Sequence, residues 1–572
     1  MHPFHVTKLR QRIHLGERFL KISVRNSAPY FPIAVNMLET FGNMFTDAAA
    51  GRGNANVWHF GSMTCVTHKQ GEPAHRRESW YAVSAHGDRF ITPHSPVEGL
   101  RRRKLSFLPV VAQAVANVAP AGAMSVIPAL IFPGLVLGSA RPNLALTFGA
   151  AMAVVILVSF CLRPMAKRMA AVSGLYSYTA KGLGQRTAIT AGWSAIFGYG
   201  LVAMASLLAV GTYVVQLLIN LGVAFADPRI FTVLVILAAA GAACFLMIRG
   251  IRVSAWSTLL MESISIGILA VLMIVYFAVN PPTVGLGSVF AWNGDFDLLS
   301  IGIVVAISAF VGFESPTTLG GEAQKPFVSV PRAITWTPIL AGVLYLLAAT
   351  AQDVALKEAP LDITGSSTPL SDLFSQTSPM FAAVLDLGIA ASWFACAIAS
   401  VNALARIFFC MGREGVAPRT VGRTHPAFGT PSTAILAVMP VVALVPIVMV
   451  ISGTSPVQGL ANLFTLGAYG YLGSYIFASA SMPFFLRRIG EDTYASWILG
   501  AATSLALGAV LWTAAAVSLH TGNLQTLIYG GVLLASVIFA TYLRLRLPER
   551  LASVGIYDET RQLDLFQGEP IP

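Results

Sequence analysis

At 572 residues the chain is long enough for several soluble domains, but 55% hydrophobic and 11% charged residues, with a mean hydropathy of +0.69, do not fit water-exposed domains. This composition excludes a soluble enzyme and points to a lipid bilayer. The net charge of +11 does not mark a nucleic-acid surface, because beyond the first hundred residues the basic side chains fall in short loops between apolar runs.

Residues 1–100 differ in kind from the rest. They hold eight of the ten histidines, 11 basic and 7 acidic residues, and no apolar run near spanning length. A signal peptide's charged start and apolar middle are missing. We expect a poorly structured cytoplasmic extension, the alternative being a working protein that starts near Val97. Only His2 and His5 have spacing that suggests ligands, which is too little for a metal site. The cysteines at 65, 161, 244, 396 and 410 show no CxxC pattern. Neither a metal nor a cofactor is expected.

From Pro109 onward, runs of about 20 apolar residues recur at 109–132, 144–162, 189–219, 230–248, 253–279, 299–319, 333–351, 379–404, 431–452, 458–485, 495–519 and 524–543. Twelve transmembrane helices are predicted, giving an all-α integral membrane domain over 101–545 and a cytoplasmic tail over 546–572. With the run Arg101-Arg102-Arg103-Lys104 placed inside, the inner flanks carry 23 Lys and Arg and the outer loops 3. Both termini are then cytoplasmic.

Two of the twelve spans contain helix breakers near their middle. The first reads Ala116-Asn117-Val118-Ala119-Pro120-Ala121-Gly122-Ala123, and the sixth reads Phe310-Val311-Gly312-Phe313-Glu314-Ser315-Pro316. Hydrocarbon tolerates a broken helix only where the freed backbone groups line a cavity or meet protein. Breaks in the first and sixth spans are what a five-plus-five inverted repeat produces, with a solute site at the midplane. Amides freed at a half-helix N-terminus suit a carboxylate, and freed carbonyls suit an ammonium or a cation. Kinking or close packing is the plainer alternative for each break alone.

These stretches resemble the amino acid, polyamine and organocation superfamily of permeases. The likeness rests on three blocks. Gly312-Phe313-Glu314-Ser315 is followed by Gly321-Glu322 through Pro326 and by Val330-Pro331-Arg332-Ala333-Ile334. Arg406 leads through Gly412-Arg413-Glu414-Gly415 and Pro418 to His425-Pro426 and Thr430-Pro431. The third block is Leu466-Gly467-Ala468-Tyr469-Gly470-Tyr471 to Tyr475. The resemblance covers about residues 100–545 and implies a leucine-transporter-like fold working by alternating access. It also implies that the amides of Ala121, Gly122 and Ala123 meet a substrate carboxylate, where many members carry G-S-G. Carbonyls near Ala309, Phe310 and Gly312 would meet the amino group, with Phe313 capping the site.

Charge inside the membrane costs a few kcal/mol unless partnered. Glu314 is therefore expected to anchor the sixth-span break or a gate, or else to cap the half-helix that follows. Glu262 interrupts an uncharged fifth span on a face shared with Ser265, Ile266 and Leu269, and it is the candidate proton carrier. A neutral glutamate in a helix interface is the alternative. Ser392, Cys396 and Ala399 form one stripe of the eighth span, with Ser400 beside it. Ser400 with the carbonyls of Ala116 and Ala119 could make the sodium site of sodium-coupled relatives, although interhelical hydrogen bonding is the commoner use of such residues. Arg406, Arg413, Arg419 and Arg423 are read as orientation and lipid-headgroup contacts.

No GxxxxGK[ST] loop is present, so nucleotide hydrolysis is not the driving force. The sequence therefore points to a secondary active transporter of the plasma membrane. It would move an amino acid or related amine by exchange or with protons rather than sodium, without nucleic acid and without covalent chemistry. A non-transporting nutrient receptor on the same scaffold is the alternative.

Overall fold

Apolar runs too long for any soluble helix fold here into long helices whose outward faces stay apolar. The computed structural model describes residues 56–60, 63–67, 83–84, 100, 104–131, 143–279, 296–358, 366 and 368–556. The chain divides into two units, Met1–Pro93 and His94–Pro572. In the first, strands β1 (Asn56–Phe60), β2 (Met63–Thr67) and β3 (Val83–Ser84) pair antiparallel in that order. His2 and His5 lie outside the described residues.

The second unit is helical. In chain order it comprises α1 (Phe107–Val118), α2 (Pro120–Ile131), α3 (Leu144–Ala166), α4 (Leu175–Leu183), α5 (Gln185–Asn220), α6 (Pro228–Arg249), α7 (Ile251–Val279) and α8 (Phe296–Ile307). It continues with α9 (Pro326–Glu358), α10 (Pro369–Thr377), α11 (Pro379–Arg413), α12 (Ser432–Ile451), α13 (Pro456–Arg488), α14 (Tyr494–His520), α15 (Gln525–Arg546) and α16 (Pro548–Ala552).

Ten helices among the described residues are long and apolar enough to cross a membrane, with α1 and α2 together forming one of them as Phe107–Ile131. Two of the twelve expected spans are not among the ten. The sixth is split into α8, an irregular stretch over 308–314 and a short 3-10 turn, Ser315–Leu319. The tenth, α13, has the length, at 33 residues, but Gly467, Gly470, Gly473 and Ser474 make it less apolar.

Helix starts follow local chemistry. The side chains of Asn143, Asp227 and Ser455 each accept a backbone N–H of the first turn, and Pro228 and Pro456 sit where a missing N–H costs nothing. Thr493 and Ser496 form a reciprocal capping box at α14.

Small residues let helices approach. A Cβ on Gly470 of α13 would stand 2.6 Å from the Gly198 amide nitrogen of α5, and one on Gly182 of α4 would stand 2.3 Å from the Ser481 carbonyl oxygen. Around this core α11 packs on α5 and α7, and α9 packs on α3. Leu234, Leu260, Ile274, Leu347, Leu505 and Trp512 are exposed on the outer faces, as lipid contact requires.

Candidate substrate and coupling site between the broken helices

The first break is a single residue. Ala119 adopts a left-handed conformation (φ 46°) between α1 and α2, and it is the one non-glycine residue with positive φ among the described residues. Pro120 then opens α2 at the position where no N–H is needed. The second break centres on Gly312, whose φ of +94° suits a residue without a Cβ.

The two breaks meet each other. Asn117 Nδ2 donates to the Gly312 carbonyl at 3.3 Å. A Cβ on Gly312 would collide with that asparagine, at 2.4 Å from Nδ2. The Tyr345 hydroxyl of α9 lies 3.1 Å from the Val118 carbonyl and 2.7 Å from the Ala309 carbonyl, so one phenol serves a freed carbonyl in each break. Gln352, a helical neighbour seven residues on, donates to the Met124 carbonyl at 2.5 Å.

Glu314 does not cap the turn that follows it. Its carboxylate accepts from the Tyr199 hydroxyl of α5 at 2.7 Å and from the Tyr475 hydroxyl of α13, and Tyr475 in turn accepts the Gly312 N–H at 3.3 Å. The sixth-span break is thereby tied to two intact helices. Phe313 is fully buried with its ring 5.7 Å from that of Tyr475, and Phe310 stacks edge-on with Tyr345 at 4.8 Å.

On the side of the first break, the Gly122 N–H donates to Ser392 Oγ at 2.8 Å, and Ser392 donates to Glu262 Oε1 at 2.6 Å. Glu262 of α7 is thus linked through α11 to the broken helix. Its Oε2 and the indole Nε1 of Trp393 are buried without a hydrogen-bond partner. The Trp393 indole lies against Gly122 on one side and 4.9 Å from the Phe464 ring.

The proposed cation ligands are arranged differently from the expectation. Ser400 donates to Asn117 Oδ1 at 2.5 Å and Cys396 donates to the Asn117 carbonyl at 3.1 Å, while Ala116 packs on Ala395 and Ala399. Ser400 thus joins the Asn117 hub as an interhelical donor. Among the described residues no cluster of His, Cys, Asp or Glu could hold a metal ion.

One expectation is overturned. Arg406 does not reach lipid headgroups: its side chain is 1% exposed and pairs with Glu322, Nη2 to Oε1 at 2.7 Å and Nε to Oε1 at 3.0 Å. The buried acid draws it inward, where its Nη1 also donates to the Asn402 carbonyl. The Glu322 carbonyl accepts the N–H groups of Lys104 and Leu105, and Gln324 N–H returns to the Leu105 carbonyl. The chain entering the first broken span and the chain leaving the sixth are therefore paired.

Ser392, Trp393, Asn117, Tyr345, Tyr199 and Tyr475 had no role assigned from sequence, although polar groups and phenols inside apolar runs were the available signal.

Residues 105–534, three quarters of the chain, match the amino acid permease family. The chain belongs to this family. An uncharacterised transporter of Mycobacterium tuberculosis is 27% identical over 66% of this chain and 80% of its own. The low-affinity putrescine importer PlaP of Escherichia coli is 21% identical over 70% of this chain and 85% of its own. The branched-chain amino acid permease BcaP of Bacillus subtilis is 22% identical over 60% and 74%. The permease resemblance read from the motifs is thereby shown, and with it a multi-pass membrane transporter of small molecules.

Proposed function

We propose that this permease moves an amino acid or a related amine across the plasma membrane by alternating access, with both termini cytoplasmic and Glu262 carrying the coupling proton. The observation that carries the reading is the meeting of two broken helices at a buried polar hub, where Asn117 and Tyr345 bridge both breaks. Relatives named for putrescine import and for branched-chain amino acid transport support the solute class. The twelve-span, five-plus-five arrangement fits this reading: α8 with the 3-10 turn would make the sixth crossing and α13 the tenth.

Among the described residues Glu262 is the buried carboxyl linked, through Ser392, to an amide of the first break. Charging it there is costly, so gain and loss of a proton can follow the rearrangement of α1 and α2. The Ser400 hydroxyl is engaged by Asn117, which favours protons over sodium.

Purified protein in liposomes tests this. A pulse of transported solute should move protons, read by an internal pH dye, with or without sodium. Glu262→Gln, which keeps size and hydrogen bonding but cannot titrate, should abolish the proton movement. Unchanged proton flux in that variant would remove Glu262 from coupling, and uptake that requires sodium would reject the proton.

A further inference from the structure

Two of the three amides expected to receive a substrate carboxylate are already occupied by the protein: Gly122 N–H donates to Ser392 and Ala123 N–H donates to the Ala119 carbonyl at 2.8 Å. A twelve-residue helix begins here, and its positive end favours an anion. The group beside this end is a side chain of the chain itself, Glu262, held by Ser392 at 2.6 Å.

Glu262 is fully buried, and its Oε2 has no hydrogen-bond partner. The Arg168–Glu491 and Arg406–Glu322 ion pairs do not include it. Once its proton has left, Glu262 presents an open acceptor and repels a second carboxylate brought to the same helix end. A solute carrying an ammonium and no carboxylate meets neither obstacle: its N–H groups satisfy Oε2, and its charge offsets that of Glu262.

We infer that the solute of this permease is a carboxylate-free organic amine, with Glu262 supplying from the protein the carboxylate that an amino acid would bring. The inference rests on the transport reading above and narrows its solute class. The Trp393 indole packs against the Cα of Gly122, where an added Cβ would stand 2.8 Å from it.

The test uses pairs that differ only by the α-carboxylate: isoamylamine and leucine, phenethylamine and phenylalanine, putrescine and ornithine, agmatine and arginine. Full-length wild-type protein in liposomes is assayed for uptake of each, and detergent-purified protein for a rise in Tm. At least one amine should be taken up and stabilise the protein while its own amino acid, at the same concentration, does neither. Glu262→Gln should weaken the affinity for that amine at least ten-fold.

Uptake of an amino acid with rejection of its amine would overturn the inference and leave the transport reading intact. Unchanged amine affinity in Glu262→Gln would overturn it as well. Failure of every compound to be taken up would sink the transport reading itself. The wild-type comparison decides even if the variant does not fold.

Discussion

Gly122 and Trp393 meet so closely that a Cβ at residue 122 would stand 2.8 Å from the indole Cε2 and Nε1. The first break is therefore sealed by an aromatic from α11, and the glycine is needed for that contact. Gly122→Ala should force the indole away at a cost of about 1–3 kcal/mol, and uptake should fall by about ten-fold, one decade per 1.4 kcal/mol. Trp393→Phe, which shrinks the neighbour, should recover part of the loss when combined with it. Uptake per folded protein is the measurement, and equal rates in wild type and Gly122→Ala would show that the contact plays no part in transport. Ala119 and Gly312 illustrate the same economy of backbone. Each turns the chain with positive φ, and the carbonyls beside them are claimed by Tyr345 or Asn117 rather than left bare in hydrocarbon.

Among elements, the buried Arg406–Glu322 pair joins α11 to the segment leaving the sixth span. The same segment pairs through its backbone with Lys104 and Leu105, ahead of α1. Removing one partner leaves a charge buried without its counter-ion, which costs about 3–5 kcal/mol, whereas removing both in favour of apolar groups is often nearly neutral. Arg406→Met and Glu322→Leu should each lower Tm clearly, and the double variant should recover most of it. The double variant should nevertheless transport poorly if this pair must open and close in each cycle. Additive losses in Tm would show that the two side chains do not stabilise each other. The α5–α13 contact works differently: Gly198 and Gly470 bring two backbones together, and the Ser194 hydroxyl donates to the Gly470 carbonyl at 2.8 Å. Through Tyr199 and Tyr475, which hold Glu314, these two helices form a wall beside the second break.

For the whole molecule, the family match lies within the second unit, His94–Pro572, and no part of Met1–Pro93 falls in it. Deleting residues 1–95 should leave substrate uptake in liposomes within about two-fold of the full chain, a change worth about 0.4 kcal/mol. Loss of uptake would make the segment part of the transporter. A receptor that does not transport would show solute-induced stabilisation without solute accumulation in either form.

Sequence by itself determined the membrane class, the boundaries of most helices and the two breaks. Each of these has a local signal: an apolar run of spanning length has no soluble alternative, and Pro120 and Gly312 stand at the two breaks, although prolines such as Pro128 and Pro164 lie inside continuous helices. It also required that Glu262 and Glu314 have partners, because an intramembrane charge without one is too costly. Which partners they have was decided only by tertiary structure. Ser392 lies 130 positions from Glu262, and Tyr199 lies 115 from Glu314, and no periodicity within one helix says which other helix it will face. Arg406 shows the same limit from the other side. At the end of an apolar run it reads as a headgroup contact, and only the packing of Glu322 against α11 turns it inward. The amides of residues 121–123 follow from the break, but the engagement of Gly122 by Ser392, and of Ser392 by Glu262, follows from three helices converging on one helix end. Helix formation is set by nearest neighbours and solvent, whereas the choice of buried partners is set by how the helices pack, and that packing is a property of the folded molecule alone.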